Sequence, residues 1–265
     1  MKSKLYKMTS IKEELWKTKG ILFNFAIFDL KIKYRNSILG MLWSLIEPLL
    51  LLGVLLIVFS TIFKFDIENF PIYLLLGIIT WNFFKNGTSI ALGSITNRSA
   101  FLSQIYFPRA IPGMSAGLTA SLQLLSELVI LAVFMIVLNF TPTLTIIYLI
   151  PIFLLELILI MGIALPLSVL NAKFKDVEFI WGVVLQAGFF LTPIIYQFDM
   201  LPETVRSILQ FSPMVQIVTM AHHVTLYGEL PPLNSMLYAV FSVSIIAIVG
   251  YLTFRKFQAR VVEEL

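Results

Sequence analysis

The chain has 265 residues, 58% of them hydrophobic and only 13% charged, and a formal net charge of +4. Soluble domains run at roughly 45–50% apolar and about 25% charged, so a soluble globular enzyme, a disordered chain and a secreted disulfide scaffold are all excluded. The absence of cysteine removes disulfides, thiolate nucleophiles and cysteine-based metal centres. In so apolar a chain, with a mean hydropathy of +0.92, the pI of 9.2 is no signal for nucleic acid, because the placement of basic residues says more than their sum.

Residues 1–40 form a basic cytoplasmic N-terminus. Within it, residues 11–34 interleave Ile11, Leu15, Leu22, Phe25, Phe28 and Ile32 with Lys12, Lys17, Lys19, Lys31 and Lys33. That mixture predicts an amphipathic helix lying in the membrane interface, not a signal peptide, because no small-residue cleavage site precedes the first long apolar run. Six apolar stretches of about 20 residues follow, each enough to cross roughly 30 Å of hydrocarbon: 41–63, 71–93, 111–138, 144–170, 179–196 and 234–254. Between the second and third, residues 94–107 predict a short amphipathic cytoplasmic element stopped by Pro108. Residues 197–233 hold apolar pieces split by Ser212 and Pro213, which predicts short helices dipping back into the outer leaflet. The fold class expected is therefore all-α and integral to the membrane. It has six transmembrane helices over 41–254, an N-terminal interface helix, a re-entrant outer segment between spans five and six, and a cytoplasmic tail at 255–265.

Orientation follows from the basic residues. One side of the six spans collects the N-terminal lysines, Arg35, Arg98, Arg109, Lys173, Lys175, Arg255, Lys256 and Arg260. The other holds only Lys64 and Arg206. Both termini are expected in the cytoplasm, and the loop-by-loop alternation supports six crossings.

No Gly-x-x-x-x-Gly-Lys-Ser/Thr phosphate loop, Gly-x-Ser-x-Gly elbow or His-Glu-x-x-His occurs, so the chain carries no ATPase or hydrolase motif of its own. Five landmarks stand in order: Asp29 to Gly40, with Trp43 and Pro48-Leu49 behind it; Gly77 with Trp81-Asn82-Phe83-Phe84; Phe107-Pro108-Arg109 with Pro112; Lys173-Phe174-Lys175-Asp176-Val177; and Thr192-Pro193-Ile194-Ile195-Tyr196. Together they resemble the type-2 ABC exporter permeases of the polysaccharide and polyol-phosphate branch, which export O-antigen, capsule or teichoic acid chains. The resemblance runs from about residue 25 to the C-terminus. It departs at Lys33 and Lys175, where the family often has arginine, and at Ser212-Pro213, where it often has Asn-Pro. Charge is retained at the two lysines, but the bidentate geometry of arginine is not.

The resemblance implies a homodimer in the cytoplasmic membrane of a prokaryote, with each copy bound to a cytoplasmic ATP-binding cassette subunit. ATP and Mg would belong to that partner, and this chain would hold no cofactor. The cargo implied is a polyprenyl-pyrophosphate-linked glycan passing through the dimer interface among membrane lipids. Arg98, Phe101, Leu102, Ile105 and Arg109 are the expected ATPase-coupling residues, with Pro108 and Pro112 carrying motion into span three.

Lys31, Lys33 and Arg35 sit at head-group depth, where a basic cluster can bind a pyrophosphate at substrate uptake. The positive-inside rule alone would also put them there. With 23 Phe among its aromatics, the chain can line a sugar path with rings, and Trp81, Phe83 and Phe84 are the candidates. Glu127 and Glu156 fall near the midplane of spans three and four. A proton relay would need such a pair, whereas protonated carboxyls hydrogen-bonded between helices, Glu127 to Gln123 for example, serve only structure. Glu47 lies about 9 Å inside span one and Lys85 about 12 Å from the cytoplasmic end of span two, a shared depth that predicts an intramembrane ion pair. His222 and His223 read as a polar tip of the outer segment. The rival functions are an ABC permease for a drug or small lipid, a proton-coupled secondary transporter, and an intramembrane enzyme acting on lipid-linked sugars.

Overall fold

The computed structural model describes residues 11–62, 67–96 and 110–261, with side chains over 19–60, 67–96 and 110–257. All the regular structure among them is helical. The helices are α1 (Ile11–Lys33), α2 (Trp43–Leu56), α3 (Phe70–Leu92), α4 (Ile111–Val137), α5 (Leu149–Lys173), α6 (Asp176–Leu191), α7 (Glu203–Leu209), α8 (Pro213–His222) and α9 (Leu233–Val261). A 3-10 turn, Gly40–Leu42, leads into α2, a π-helical turn, Ile57–Ile62, extends it, and a second 3-10 turn, Leu144–Tyr148, leads into α5.

Four stretches are long and apolar enough to cross a membrane: Gly40–Ser60, Ile111–Val137, Leu144–Lys173 and Leu233–Phe257. They coincide with the first, third, fourth and sixth stretches read from the sequence. The second stretch forms α3, a helix of 23 residues and ample length, but Asn82, Lys85 and Asn86 dilute its apolar character. The fifth forms only the 16 residues of α6, about 24 Å at helical rise, because the chain leaves helical geometry at Thr192 ahead of Pro193.

The core is built around α3. Leu74, Leu75, Leu76, Ile78 and Ile79 are all fully buried, and residues so close in sequence point in every direction around a helix. Helices α2, α4, α5, α6 and α8 surround it. At the far end of α3 the Asn171 amide of α5 donates to the Leu92 carbonyl at 3.1 Å, satisfying a terminal acceptor that no helical residue can reach. The Trp181 indole of α6 donates to Thr88 Oγ1 at 3.1 Å.

Helices α5 and α9 make the most extensive pairing in the bundle. They meet backbone to backbone: a Cβ added at Gly162 would stand 2.8 Å from Ala247 Cα, and one at Gly250 would fall on the Gly162 carbonyl. Small residues of this kind let helices approach where lipid removes the hydrophobic incentive to associate. Helix α6 is the opposite case. Leu185 is its one buried residue among those described, while Phe179, Ile180, Val183, Phe190 and Leu191 are exposed.

Candidate functional site

Helix α1 packs on α4 through Ala26 and Leu30, leaving Phe23, Phe28 and Ile32 exposed on another side. The chain then reverses through two residues of positive φ, Asn36 at 61° and Gly40 at 53°, and Ser37 Oγ accepts from the Gly40 amide at 3.2 Å. Asn and Gly are the residues that tolerate this left-handed geometry, which accounts for their presence in the first sequence landmark. The reversal lays the end of α1 beside the start of α2.

Between them opens a cavity of about 450 Å³ lined by Lys33, Tyr34, Ser37, Trp43, Glu47 and Leu50. Its lining mixes polar and apolar groups, with Glu47 standing between Trp43 and Leu50 on α2. Lys33, Tyr34, Ser37 and Glu47 supply charge and hydrogen-bonding groups, while Trp43 and Leu50 supply apolar surface. Lys33 is exposed, yet partial desolvation of its ammonium against the cavity wall pushes its pKa below the ordinary lysine value, Glu47 opposing and Lys85 adding to the shift. The ammonium stands 5.6 Å from the Tyr34 ring centre. Lys31 and Arg35, exposed as Lys33 is, stand nearby, and neither lines the cavity.

Behind the cavity the polar groups of four helices meet. Lys85 Nζ of α3 lies 3.3 Å from Glu47 Oε1 of α2, with 35% and 57% of the two side chains exposed. Gln123 of α4 donates to the Tyr34 hydroxyl at 3.3 Å, so its amide serves the α1–α2 turn and not Glu127, as the sequence reading had it. Glu127 is buried, and the side chain that faces it is Asn82 of α3. Ser44 of α2 and Ser126 of α4 approach to 3.5 Å. Glu156 is fully buried on α5, against the backbone of Phe84.

Trp81, Phe83 and Phe84 are buried in the core. Trp81 packs on Phe84 and Phe189, Phe83 on Phe153, and Phe84 on Trp181, with ring centres 5.6 to 6.3 Å apart. Arg98, Phe101, Leu102, Ile105 and Arg109 lie outside the described residues, as does all of the 94–107 element beyond Thr96.

At the other end of α3 the polar-tip reading of His222 is overturned. Its ring is buried and stacked on Tyr73, with centres 3.7 Å apart, and its Nε2 lies 3.0 Å from the Tyr73 carbonyl oxygen. The Tyr73 hydroxyl is placed to donate to the carbonyls of Pro193 at 3.1 Å and Tyr196 at 2.7 Å, tying α3 to the end of α6. Sequence reasoning assigned no role to Tyr34, Ser37, Trp43, Asn82 or Tyr73. Tyr34, Ser37, Trp43 and Asn82 stand inside landmarks already singled out, which was the available signal, whereas nothing local marks Tyr73.

Four helices long and apolar enough to cross a membrane, packed with others around a buried α3, are the architecture of an integral membrane protein. The sequence profile of the ABC-2 type transporter family matches residues 25–226, and the chain belongs to that family. It is similar to the O-antigen export system permease protein RfbA of Klebsiella pneumoniae, with 29% identity over 92% of this chain and 96% of the relative. The O-antigen export system permease protein RfbA of Myxococcus xanthus is 26% identical over 90% and 92% of the two chains. The polysialic acid transport protein KpsM of Escherichia coli is 22% identical over 86% and 89%.

Proposed function

We propose that this chain is the permease subunit of an ATP-driven exporter that moves a polysaccharide, carried on a polyprenyl-pyrophosphate lipid, across the cytoplasmic membrane. The observation that carries the reading is the cavity between α1 and α2, set in a chain aligned almost end to end with permeases whose names specify O-antigen export. A lipid diphosphate needs a cation for its head and an apolar wall for its tail. Lys33 offers the cation and Trp43 and Leu50 the apolar surface within one cavity, with the Glu47 carboxylate between them paired to Lys85, and Lys31 and Arg35 add positive charge beside it.

The remaining features fit a dimeric six-span subunit. Helices α3 and α6 complete the six crossings with the four strongly apolar spans, and the short α7 and α8 form the re-entrant outer segment. The exposed apolar faces of α2 and α6 suit a second copy of the chain, with the glycan passing between the copies. Trp81 and Phe84 touch Phe189 and Trp181 on α6, so the aromatic layer behind that passage would be continuous with its wall. Arg98, Phe101, Leu102, Ile105 and Arg109 would contact the cytoplasmic ATPase subunit, two copies per dimer, where ATP and Mg act. Glu47 and Lys85 would brace spans one and two beside the uptake cavity.

The test is joint neutralisation of Lys31, Lys33 and Arg35 to Gln in the assembled transporter. Export and substrate-stimulated ATP hydrolysis should fall while assembly with the ATPase and membrane orientation stay intact. Normal export by a correctly inserted triple variant would refute the uptake assignment.

A further inference from the structure

A second polar cavity, of about 300 Å³, lies at the opposite end of the bundle, lined by Gln210, Phe211, Gln216, Asn234, Ser235 and Tyr238. Its position follows from α9. The Phe254 end of that helix packs with Ile95 and Val169 beyond the last turn of α3, so its Leu233 end points the other way. The cavity sits where the turn between α7 and α8 meets the first turns of α9.

None of the six lining side chains is charged, so nothing there neutralises a phosphate or carboxylate. Three hydrogen bonds tie the corner together. The Tyr238 hydroxyl donates to the Phe211 carbonyl at 3.1 Å, Gln216 Nε2 to the Gln210 carbonyl at 2.8 Å, and Gln210 Nε2 to the Ser207 carbonyl at 3.0 Å. Those bonds leave the side-chain carbonyls of Gln210 and Gln216 open as acceptors. The Asn234 amide and Ser235 hydroxyl add both donors and acceptors. The Phe211 ring is 62% exposed yet fixed edge-on against Tyr238, with centres 5.8 Å apart. A fixed, exposed aromatic ring flanked by uncharged amides and hydroxyls offers a stacking surface for C–H groups and matched partners for equatorial hydroxyls.

We propose that this cavity binds one neutral saccharide unit. That the unit belongs to the exported chain, engaged as it leaves the membrane, rests on the function proposed above, whereas the binding chemistry does not. Selectivity follows from the lining. An acidic sugar would bring a charge with no counter-ion, and a flexible polyol such as a lipid glycerol headgroup would lack the ring face that Phe211 stacks on.

Saturation-transfer NMR on the full chain in lipid nanodiscs tests the binding, with methyl α-glucoside, methyl β-galactoside, glucuronate and glycerol as probes. At least one neutral glycoside should receive saturation on its ring C–H protons. Phe211→Ala should weaken that binding roughly tenfold, Asn234→Ala should weaken it to a smaller degree, and Tyr238→Phe should keep the stacking face. Unchanged thermal unfolding of the variants establishes that they are folded. Equal glycoside signals in the wild type and Phe211→Ala would overturn the site. Saturation of glycerol without any glycoside would overturn it too, assigning the cavity to a lipid headgroup. Polymer export by cells carrying the same variants separates the two proposals. Export by the wild type, with no glycoside binding and no change in rate or chain length on Phe211→Ala, removes the saccharide site alone. Glycoside binding in a wild type that exports no polymer removes the function and leaves the site.

Discussion

Replacing Lys85 by Met or Glu47 by Gln tests how α2 and α3 are braced beside the Lys33 cavity. At their 3.3 Å separation two unit charges attract by about 1 kcal/mol in bulk water and about 5 kcal/mol at an effective dielectric near 20. The carboxylate side chain is 57% exposed and the lysine 35%, so solvent screening and side-chain ordering reduce the net coupling to about 1 kcal/mol. Lys33 lines the same cavity as Glu47 and gives it a second cation. Losing Lys85 therefore leaves Glu47 partly compensated, and losing Lys33 and Lys85 together should cost more than the sum of the single changes. The assay is a double-mutant cycle by thermal unfolding of purified variants in one detergent. Each single change should lower Tm by about 2–4 °C per kcal/mol lost, and the Glu47→Gln, Lys85→Met double variant should lose less than the two singles added. Strict additivity of the two losses would show that the pair contributes nothing and refute the bracing argument.

Gly250→Ala should destabilise the fold by about 1–3 kcal/mol, since its Cβ falls on the backbone of Gly162, while Gly182→Ala, with nothing within 4 Å of its Cβ, should cost nothing by the same unfolding measurement. Tyr73→Phe removes the donor that ties α3 to Pro193 and Tyr196. It should cost about 1–3 kcal/mol and speed hydrogen exchange over residues 192–197, whereas a change confined to α7 would contradict the assignment. Partial desolvation lowers the Lys33 pKa, so its neutral amine is reached at lower pH than in a free lysine. Protonation is then the form the folded site disfavours, and the stability lost to it is regained as pH rises toward the ordinary lysine range. Acylation of Lys33 followed by mass spectrometry should accordingly rise at lower pH than that of a model peptide. Farnesyl diphosphate should suppress it, and equal labelling with and without the diphosphate would count against the uptake site.

The sequence by itself determined the helical class and the limits of most of its elements, because apolar run length and basic-residue placement are local quantities that add along the chain. The runs at 41–63, 111–138, 144–170 and 234–254 became helices of nearly those bounds, and residues 11–33 became one helix. Asn36 and Gly40, named in the sequence only as part of the first landmark, take the positive φ of the reversal after α1, a preference that belongs to single residues. Helical rise likewise gives the depth of Glu47 and Lys85. Tertiary structure alone decided the azimuths. Which face of each helix turns to which neighbour depends on every packed surface at once, and no window of sequence contains that sum. So Gln123 turns to Tyr34 instead of Glu127, His222 stacks on a tyrosine 149 residues away, and the most polar of the long apolar stretches, α3, is the helix buried on all sides. The corner that holds Phe211 against Tyr238 has the same origin: two segments with no shared motif meet only because α8 and α9 pack together.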